Sequence, residues 1–321
     1  MYKISKISNK IQEINIDNPK TSAYSLKWIS IANAEKKEID YLKRKFKFNI
    51  NHLRASISTV FAQRPMVEVE KDYVFVILHF PTIKGQKIVP GEIEFFMGHG
   101  YLITLHNGNL KPLNDFFDHC KKKTDSVLAY DTESSSTLLY ELLNRLIKDS
   151  YNILDTNSIN INEVEEIIFS GEQKDAVSKI LELRRNIINI RKILQNHSNI
   201  LKHLQEFKSS LVPYESIKKH YEDLTGHSKR IWEILDLQKE MVDILNDTNE
   251  SLFNNKMNII MKTLTIFSVL VLPLNLMAGI FGMNAKHMPF VEGLYGFWVI
   301  LFIMGMGSIV MLLIFYRKRW L

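Results

Sequence analysis

The hydrophobic pattern changes twice along the chain. Up to about His106 the apolar residues come in short runs rich in β-branched and aromatic side chains, at Trp28–Ile31, Tyr73–Phe80, Glu92–Met97 and Tyr101–His106. These runs predict strands. Residues 1–27 alternate weakly and predict an edge strand. Helices are expected at about Asn33–Lys45 and His52–Phe61. Gly98-His99-Gly100 predicts a hairpin turn, and because a strand follows it, it is not a dinucleotide-binding loop. From Ser136 the period lengthens to that of a helix, with Leu138, Leu139, Leu142, Leu143, Leu146, Ile147 and Tyr151 on one face. A second helical run is expected over about Ala176–Phe207.

Pro213 suits the first turn of a new helix. No proline follows until Pro273, and Gly226 is the one glycine before the apolar stretch. A helix from Pro213 to Phe281 would be ~100 Å long. Leu224, Ile231, Ile234, Met241, Leu245 and Leu252 give it a stripe like that of a coiled coil. Its last third, Ile259–Phe281, and a second segment, Leu294–Tyr316, are apolar and long enough to cross a hydrocarbon core of ~30 Å.

The chain of 321 residues therefore reads as an α/β domain, residues 1–135, followed by a helical pair (136–212) and a stalk helix (213–258). Two transmembrane helices (259–281 and 294–316), their connecting loop (282–293) and a basic tail (317–321) complete it. Arg317, Lys318 and Arg319 follow the second span, and Lys256 and Lys262 bracket the start of the first. The loop carries only Lys286, His287 and Glu292. The positive-inside rule puts both termini in the cytoplasm and the loop outside. The N-terminal residues lack the apolar core of a signal peptide. A single cysteine, Cys120, excludes an intrachain disulfide and fits a reducing cytosol. The net charge of +6 is modest and scattered, which argues against nucleic acid as a partner. Lys43, Arg44, Lys45 and Lys47, like Glu163, Glu165 and Glu166, read as solvated helix faces. His99, His106, His119 and Cys120 match no metal-ligand spacing. No nucleophile–base pair or phosphate loop points to an enzyme.

The first span is not uniformly apolar. Asn258, Met261, Thr265, Ser268, Leu272, Asn275, Gly279 and Gly282 recur at steps of three and four, and so share one helical face. Small and hydroxyl residues on one face fit either a tight helix–helix seam or the lining of a pore built from symmetric copies. The span then closes on Phe281-Gly282-Met283-Asn284. An aromatic residue followed by Gly-Met-Asn after the first of two C-terminal spans resembles the CorA family of divalent-cation channels. The resemblance extends through Asn258, Met261-Lys262, Leu264-Thr265, Pro273 and Ala278-Gly279 to the basic tail. Upstream it includes Gln63-Arg64-Pro65, where Met66 replaces the usual Lys, and Leu138-Leu139-Tyr140.

The resemblance implies a funnel-shaped homopentamer in the cell membrane that passes hydrated Mg²⁺, with Co²⁺ or Ni²⁺ as secondary ions. No catalytic cofactor is expected. Gly282, Met283 and Asn284 would form the selectivity filter, with Asn284 holding the ion through its water. Asn258, Met261, Leu264, Thr265, Ser268, Leu272, Asn275 and Gly279 would line the pore. Asp247 matches an acidic position at the cytoplasmic mouth. Asp223 matches the stalk aspartate of relatives that sense cytosolic Mg²⁺, where it faces an acidic pair on the neighbouring subunit. Here that pair is Ser56 and Ile57, so Asp223 offers only a weak metal site. The loop also departs from the family, with Met288-Pro289-Phe290 where Met-Pro-Glu is common, leaving Glu292 as its acid. A zinc-handling relative and a non-conducting membrane-tethered sensor are the alternatives.

Overall fold

The computed structural model describes residues 8–17, 25–56, 64–85, 87–122, 135–206, 214–283 and 295–318. They divide into two units, 1–245 and 246–321. Ile57, Gln63, Pro213, Asn284, the loop to Leu294 and Arg319–Leu321 lie outside the described residues.

The first unit is built on six strands: β1 (Ile11–Asp17), β2 (Ser25–Ala32), β3 (Met66–Val69), β4 (Tyr73–Lys84), β5 (Lys87–Gly98) and β6 (Tyr101–His106). They lie in the order β1-β2-β6-β5-β4-β3. Among the described residues only β2 and β6 pair in parallel. β1 is the edge strand that the weak alternation predicts. β4 and β5 run further than their apolar stretches, paired as far as Lys84 and Lys87. Gly98 sits opposite Tyr101, and a Cβ on it would lie 2.1 Å from the Tyr101 ring. Gly100 takes φ +72°, the left-handed conformation that glycine adopts at no steric cost.

Period two sends alternate residues to opposite faces of the sheet. One face carries Phe75, Ile77, Phe96 and Ile103 and packs with Leu42 of α1 (Lys36–Phe46), Phe48, and Leu53 of α2 (Ile50–Ala55). The other face carries Trp28, fully buried against Phe116 and Phe117 of α3 (Lys111–Lys122), at ring separations of 5.6 and 4.8 Å. Its Nε1 donates to Thr104 Oγ1. α3 was not expected from the sequence, although Leu113, Phe116 and Phe117 already have helical spacing. The basic residues Lys43, Arg44, Lys45 and Lys47 are exposed, as expected. His106 is buried, with Nδ1 accepting from the Gly108 N–H and Nε2 beside Ser30 Oγ.

The helical part comprises α4 (Ser135–Phe169), α5 (Gln173–Leu194), α6 (His197–Glu206) and α7 (Tyr214–Phe281). The single run expected over Ala176–Phe207 is in fact two helices, broken at Gln195. The reason lies at the sheet edge. β3 pairs with β4 only from Val74 to Ile77, so the His79 carbonyl beyond it has no strand partner on that side. The buried His197 at the start of α6 donates Nε2–H to it at 2.8 Å and packs edge-on against Phe80.

α7 runs unbroken for 68 residues, through Pro273. Its buried seam in the first unit is Tyr221, Leu224, Ser228, Ile231, Leu235, Gln238, Val242 and Leu245, alternating steps of three and four. This corrects the expected stripe at three positions. Met241 is exposed, while Ile234 and Leu252 are only half-buried. Two polar residues, Ser228 and Gln238, hide the true period. Gln238 is buried because its amide is used on both sides, donating to the Leu154 carbonyl and Ser158 Oγ and accepting from Asn157 Nδ2. A buried amide with every group bonded fixes register as well as an apolar residue would. Arg184–Asp243 and Arg191–Asp236 ion pairs flank the seam.

Burial depresses the His197 imidazole to about 4, from an ordinary value of 6.5. Its contribution to stability is present above about pH 6.5, where the unfolded chain is also neutral, and is lost as the pH falls through 4. Glu94, buried beside Glu92, is pushed the other way, well above the usual carboxylate range, so the whole chain mixes both signs. A comparison of variants separates them. The gap in thermal midpoint between the wild type and His197→Gln should narrow as pH falls from 6.5 to 4. A gap independent of pH would contradict the assignment.

Candidate functional site

The second unit contains α7 from Asn246 onward and α8 (Gly296–Arg317). Both helices are long and apolar enough to cross a membrane. Along each, the less exposed residues trace one stripe. On α7, from Ile259 on, it is Ile266, Leu270, Pro273, Leu274, Met277 and Phe281, with the half-buried Val271 to one side; on α8 it is Ile300, Met304, Ser308, Met311 and Phe315. At 3.6 residues per turn, the α7 stripe lies opposite the face that carries Asn258, Met261, Thr265, Ser268, Leu272, Asn275 and Gly279. All of those residues, and Leu264 beside them, are exposed in the single chain. Leu272 is 73% exposed, which leaves a large apolar side chain available to whatever meets this face.

The hydroxyls on the exposed face are already committed as donors. Thr265 Oγ1 donates to the Met261 carbonyl at 2.7 Å and Ser268 Oγ to the Leu264 carbonyl at 2.9 Å. With its proton turned back onto the helix, each hydroxyl oxygen offers only lone pairs outward. Such a surface accepts hydrogen bonds from the water shell of a cation and carries no fixed charge.

Gly282 ends α7. Its N–H bonds the Ala278 carbonyl at 2.8 Å, and a Cβ on it would lie 2.9 Å from that oxygen. The glycine is needed for this close approach and not for a left-handed turn, since its φ is not positive. Met283 is 65% exposed. Gly279, by contrast, has open space where a side chain would go. Nothing among the described residues requires a glycine there.

Towards the cytoplasmic end expected from the sequence, Asp247, Glu250, Ser251, Asn254, Asn255 and Asn258 border a shallow polar groove along α7. Reading the sequence assigned only Asp247 and Asn258 a role. Asp247, Ser251, Asn254 and Asn258 continue the three-and-four spacing of the exposed face without a break, and that spacing could have found them. Asp223, in the first unit, is 60% exposed with its carboxylate 3.7 Å from His227 Nε2. Ser56 caps α2, its hydroxyl bonded to the His52 carbonyl.

Residues 24–319 match a family model described as CorA-like Mg²⁺ transporter protein. The chain belongs to that family. Its curated relatives include the cobalt/magnesium transport protein CorA of Thermotoga maritima, 26% identical over 301 residues that cover 92% of this chain and 83% of the relative. The protein of the same name from Methanocaldococcus jannaschii is 23% identical over 317 residues, covering 99% and 96%. The solved structure of the complete CorA magnesium transporter from M. jannaschii superposes with a TM-score of 0.83 at 23% identity, covering 92% of each chain. The fold is therefore that of CorA: an N-terminal α/β domain, a long helix and two C-terminal apolar helices. The chain is a divalent-cation transporter of this family.

Proposed function

We propose that the chain is a homopentameric channel that passes hydrated Mg²⁺ across the cell membrane down its electrochemical gradient, with both termini cytoplasmic. The observation that carries this reading is the exposed face of α7, which continues unbroken from Asp247 to Gly279 opposite the shaded stripe. Mg²⁺ gives up its water reluctantly, so a pathway of amide, hydroxyl and carbonyl acceptors can hold the hydrated ion without stripping it. Leu272, Leu264 and Met261 supply apolar rings that close by dewetting. Gly282-Met283-Asn284 forms the outer filter, with the Asn284 amide oxygen accepting from water on the ion. Co²⁺ and Ni²⁺, similar when hydrated, follow as secondary cargo.

Two spans cannot enclose a pathway alone, so copies must associate. Leu237, Met241 and Ile244 support this, since they are 66%, 46% and 53% exposed and form a second apolar stripe on α7 beside its buried seam. Helices carrying two such stripes pack with two sets of neighbours. Purified chain in liposomes, with Mg²⁺ flux read by a trapped indicator, tests the proposal. Wild type should conduct, and Asn284→Ala should abolish flux while the oligomer stays assembled. An assembled Asn284→Ala that conducts like wild type would remove the filter assignment.

Regulation by cytosolic Mg²⁺ through Asp223 is weak in this reading. Linkage requires the ion to bind the closed state better than the open one, and a single exposed carboxylate leaves most ligands to water. Ser56 adds a hydroxyl whose proton is already used. Asp149 and Glu222 are the nearest alternatives in chemistry, each accepting a side-chain amide hydrogen bond. Limited proteolysis titrated with Mg²⁺ should give similar, shallow protection in wild type and Asp223→Ala. Strong protection that vanishes in Asp223→Ala would show that the sensor works through this residue.

A further inference from the structure

The apolar stripe of α7 at Leu237, Met241 and Ile244 has a counterpart on α5. Leu181 and Ile188 are 60% and 62% exposed and stand two turns apart on one face of that helix. Arg185 and Lys192 lie beside them, both exposed and without an ion pair among the described residues. The one acid in this stretch, Glu182, follows Leu181 and is therefore turned ~100° from it. On α7 the signs are reversed. Glu233 and Glu240 lie beside the apolar stripe, and both are exposed. Glu240 forms no ion pair among the described residues, and Glu233 is held only by an exposed pair with Lys229 at 3.8 Å. The one cation between them, Lys239, precedes Glu240 and is turned ~100° to the side away from the stripe.

The two faces do not cover each other within one chain. There α5 and α7 are joined by Arg184–Asp243 and Arg191–Asp236. Leu237 and Ile244 each follow one of those aspartates, ~100° further round α7, and remain exposed. Their spacings nevertheless match in opposite directions. Read forwards, Leu181, Arg185, Ile188 and Lys192 step by four, three and four; read backwards, Ile244, Glu240, Leu237 and Glu233 do the same. Antiparallel helices can therefore meet layer on layer. Leu181 falls on Ile244 and Ile188 on Leu237. Arg185 falls on Glu240 and Lys192 on Glu233. Sliding by one layer, or turning one helix end for end, sets every charge against an apolar side chain, so the charged layers fix register and direction. Little sliding is needed. The Arg184–Asp243 pair sets Arg185 level with Val242, ~3 Å along the axis from Glu240, and copies rotated about an axis along α7 keep their levels.

We propose that α5 of one copy packs antiparallel on α7 of the next copy of this chain, through these two apolar and two charged layers. The proposal rests on the oligomeric reading above and names the two surfaces that build the oligomer. They are unlike, and each copy carries one of each. A contact between them runs head to tail and leaves no free surface only when it closes into a ring. Covering Leu181, Ile188, Leu237 and Ile244 removes exposed apolar surface that the isolated chain presents to water.

The test is disulfide trapping between two full-length chains with tags of different size, co-expressed in membranes in a Cys120→Ser background. Mild oxidation should link a Leu181→Cys chain to an Ile244→Cys chain, and an Ile188→Cys chain to a Leu237→Cys chain. Each variant alone should stay unlinked, since no residue meets its own copy in a head-to-tail contact. Leu181→Cys with Leu237→Cys, ~10 Å out of register, should link at least about tenfold more slowly. A chain carrying both Leu181→Cys and Ile244→Cys should give a ladder of linked copies. Arg185→Glu and Glu240→Arg should each slow the 181–244 link about tenfold by setting like charges together, and the two combined should restore it. All of these positions are exposed in the single chain, so its fold does not depend on them. Equal linking in and out of register, linking of one variant to itself, or a double-cysteine chain that stays monomeric would each overturn the proposal. Flux measured on the same membranes separates the two readings. A chain that conducts without linking loses this interface and keeps the channel, and one that links without conducting does the reverse.

Discussion

A helix that enters hydrocarbon with polar groups on one side must cover that side with something other than lipid. Thr265, Ser268 and Asn275 set this constraint for the second unit. The two hydroxyls meet part of it internally by donating to carbonyls one turn back, but the Asn275 amide, with two N–H donors and an acceptor, cannot be satisfied by a single carbonyl one turn back. An unsatisfied amide in an apolar medium costs several kcal/mol. The exposed face of α7 is therefore unstable against lipid and stable against water or other copies of itself. In the proposed pore it meets both. The same groups that forbid a lipid-facing orientation supply the acceptors a hydrated cation needs.

The first unit solves a related problem by another route. α7 is buried there along a seam that includes Ser228 and Gln238, and the cost of burying Gln238 is offset by using every hydrogen-bonding group it has. The outcome is a contact with one register: shifting α7 by a turn would strand the Gln238 amide and part both flanking ion pairs, Arg184–Asp243 and Arg191–Asp236. A long helix whose register is fixed in this way can pass on a displacement of the sheet–helix unit instead of absorbing it by sliding.

Much of this was legible in the sequence where a single period dominates. The strands at Trp28, Tyr73, Glu92 and Tyr101, the hairpin at Gly98-His99-Gly100, the uninterrupted helix through Phe281 and the shared face from Asn258 to Gly279 all follow from spacing and glycine placement. The misses have common physical causes. The α7 seam was misplaced because Ser228 and Gln238 are polar yet buried, so hydropathy pointed to the exposed Met241 instead. The break at Gln195 was invisible because it is driven by a distant carbonyl, that of His79, which only the sheet topology leaves unpaired. The close approach of Gly282 to the Ala278 oxygen is a backbone contact that no pattern of side chains records. Of the polar groove, Glu250, Ser251, Asn254 and Asn255 were passed over because the shared face was followed only from Asn258 onward, although Ser251 and Asn254 continue its spacing.

The central claim is that one face of α7 meets water and the opposite one does not. It is tested most directly by single cysteines in a Cys120→Ser background, placed in turn at Ser268, Asn275, Ile266 and Leu270, with the reconstituted chain exposed to a membrane-impermeant thiol reagent. Rapid modification at 268 and 275, with 266 and 270 protected, is the result the account requires. Equal modification at all four positions, or protection of 268 and 275, would contradict it.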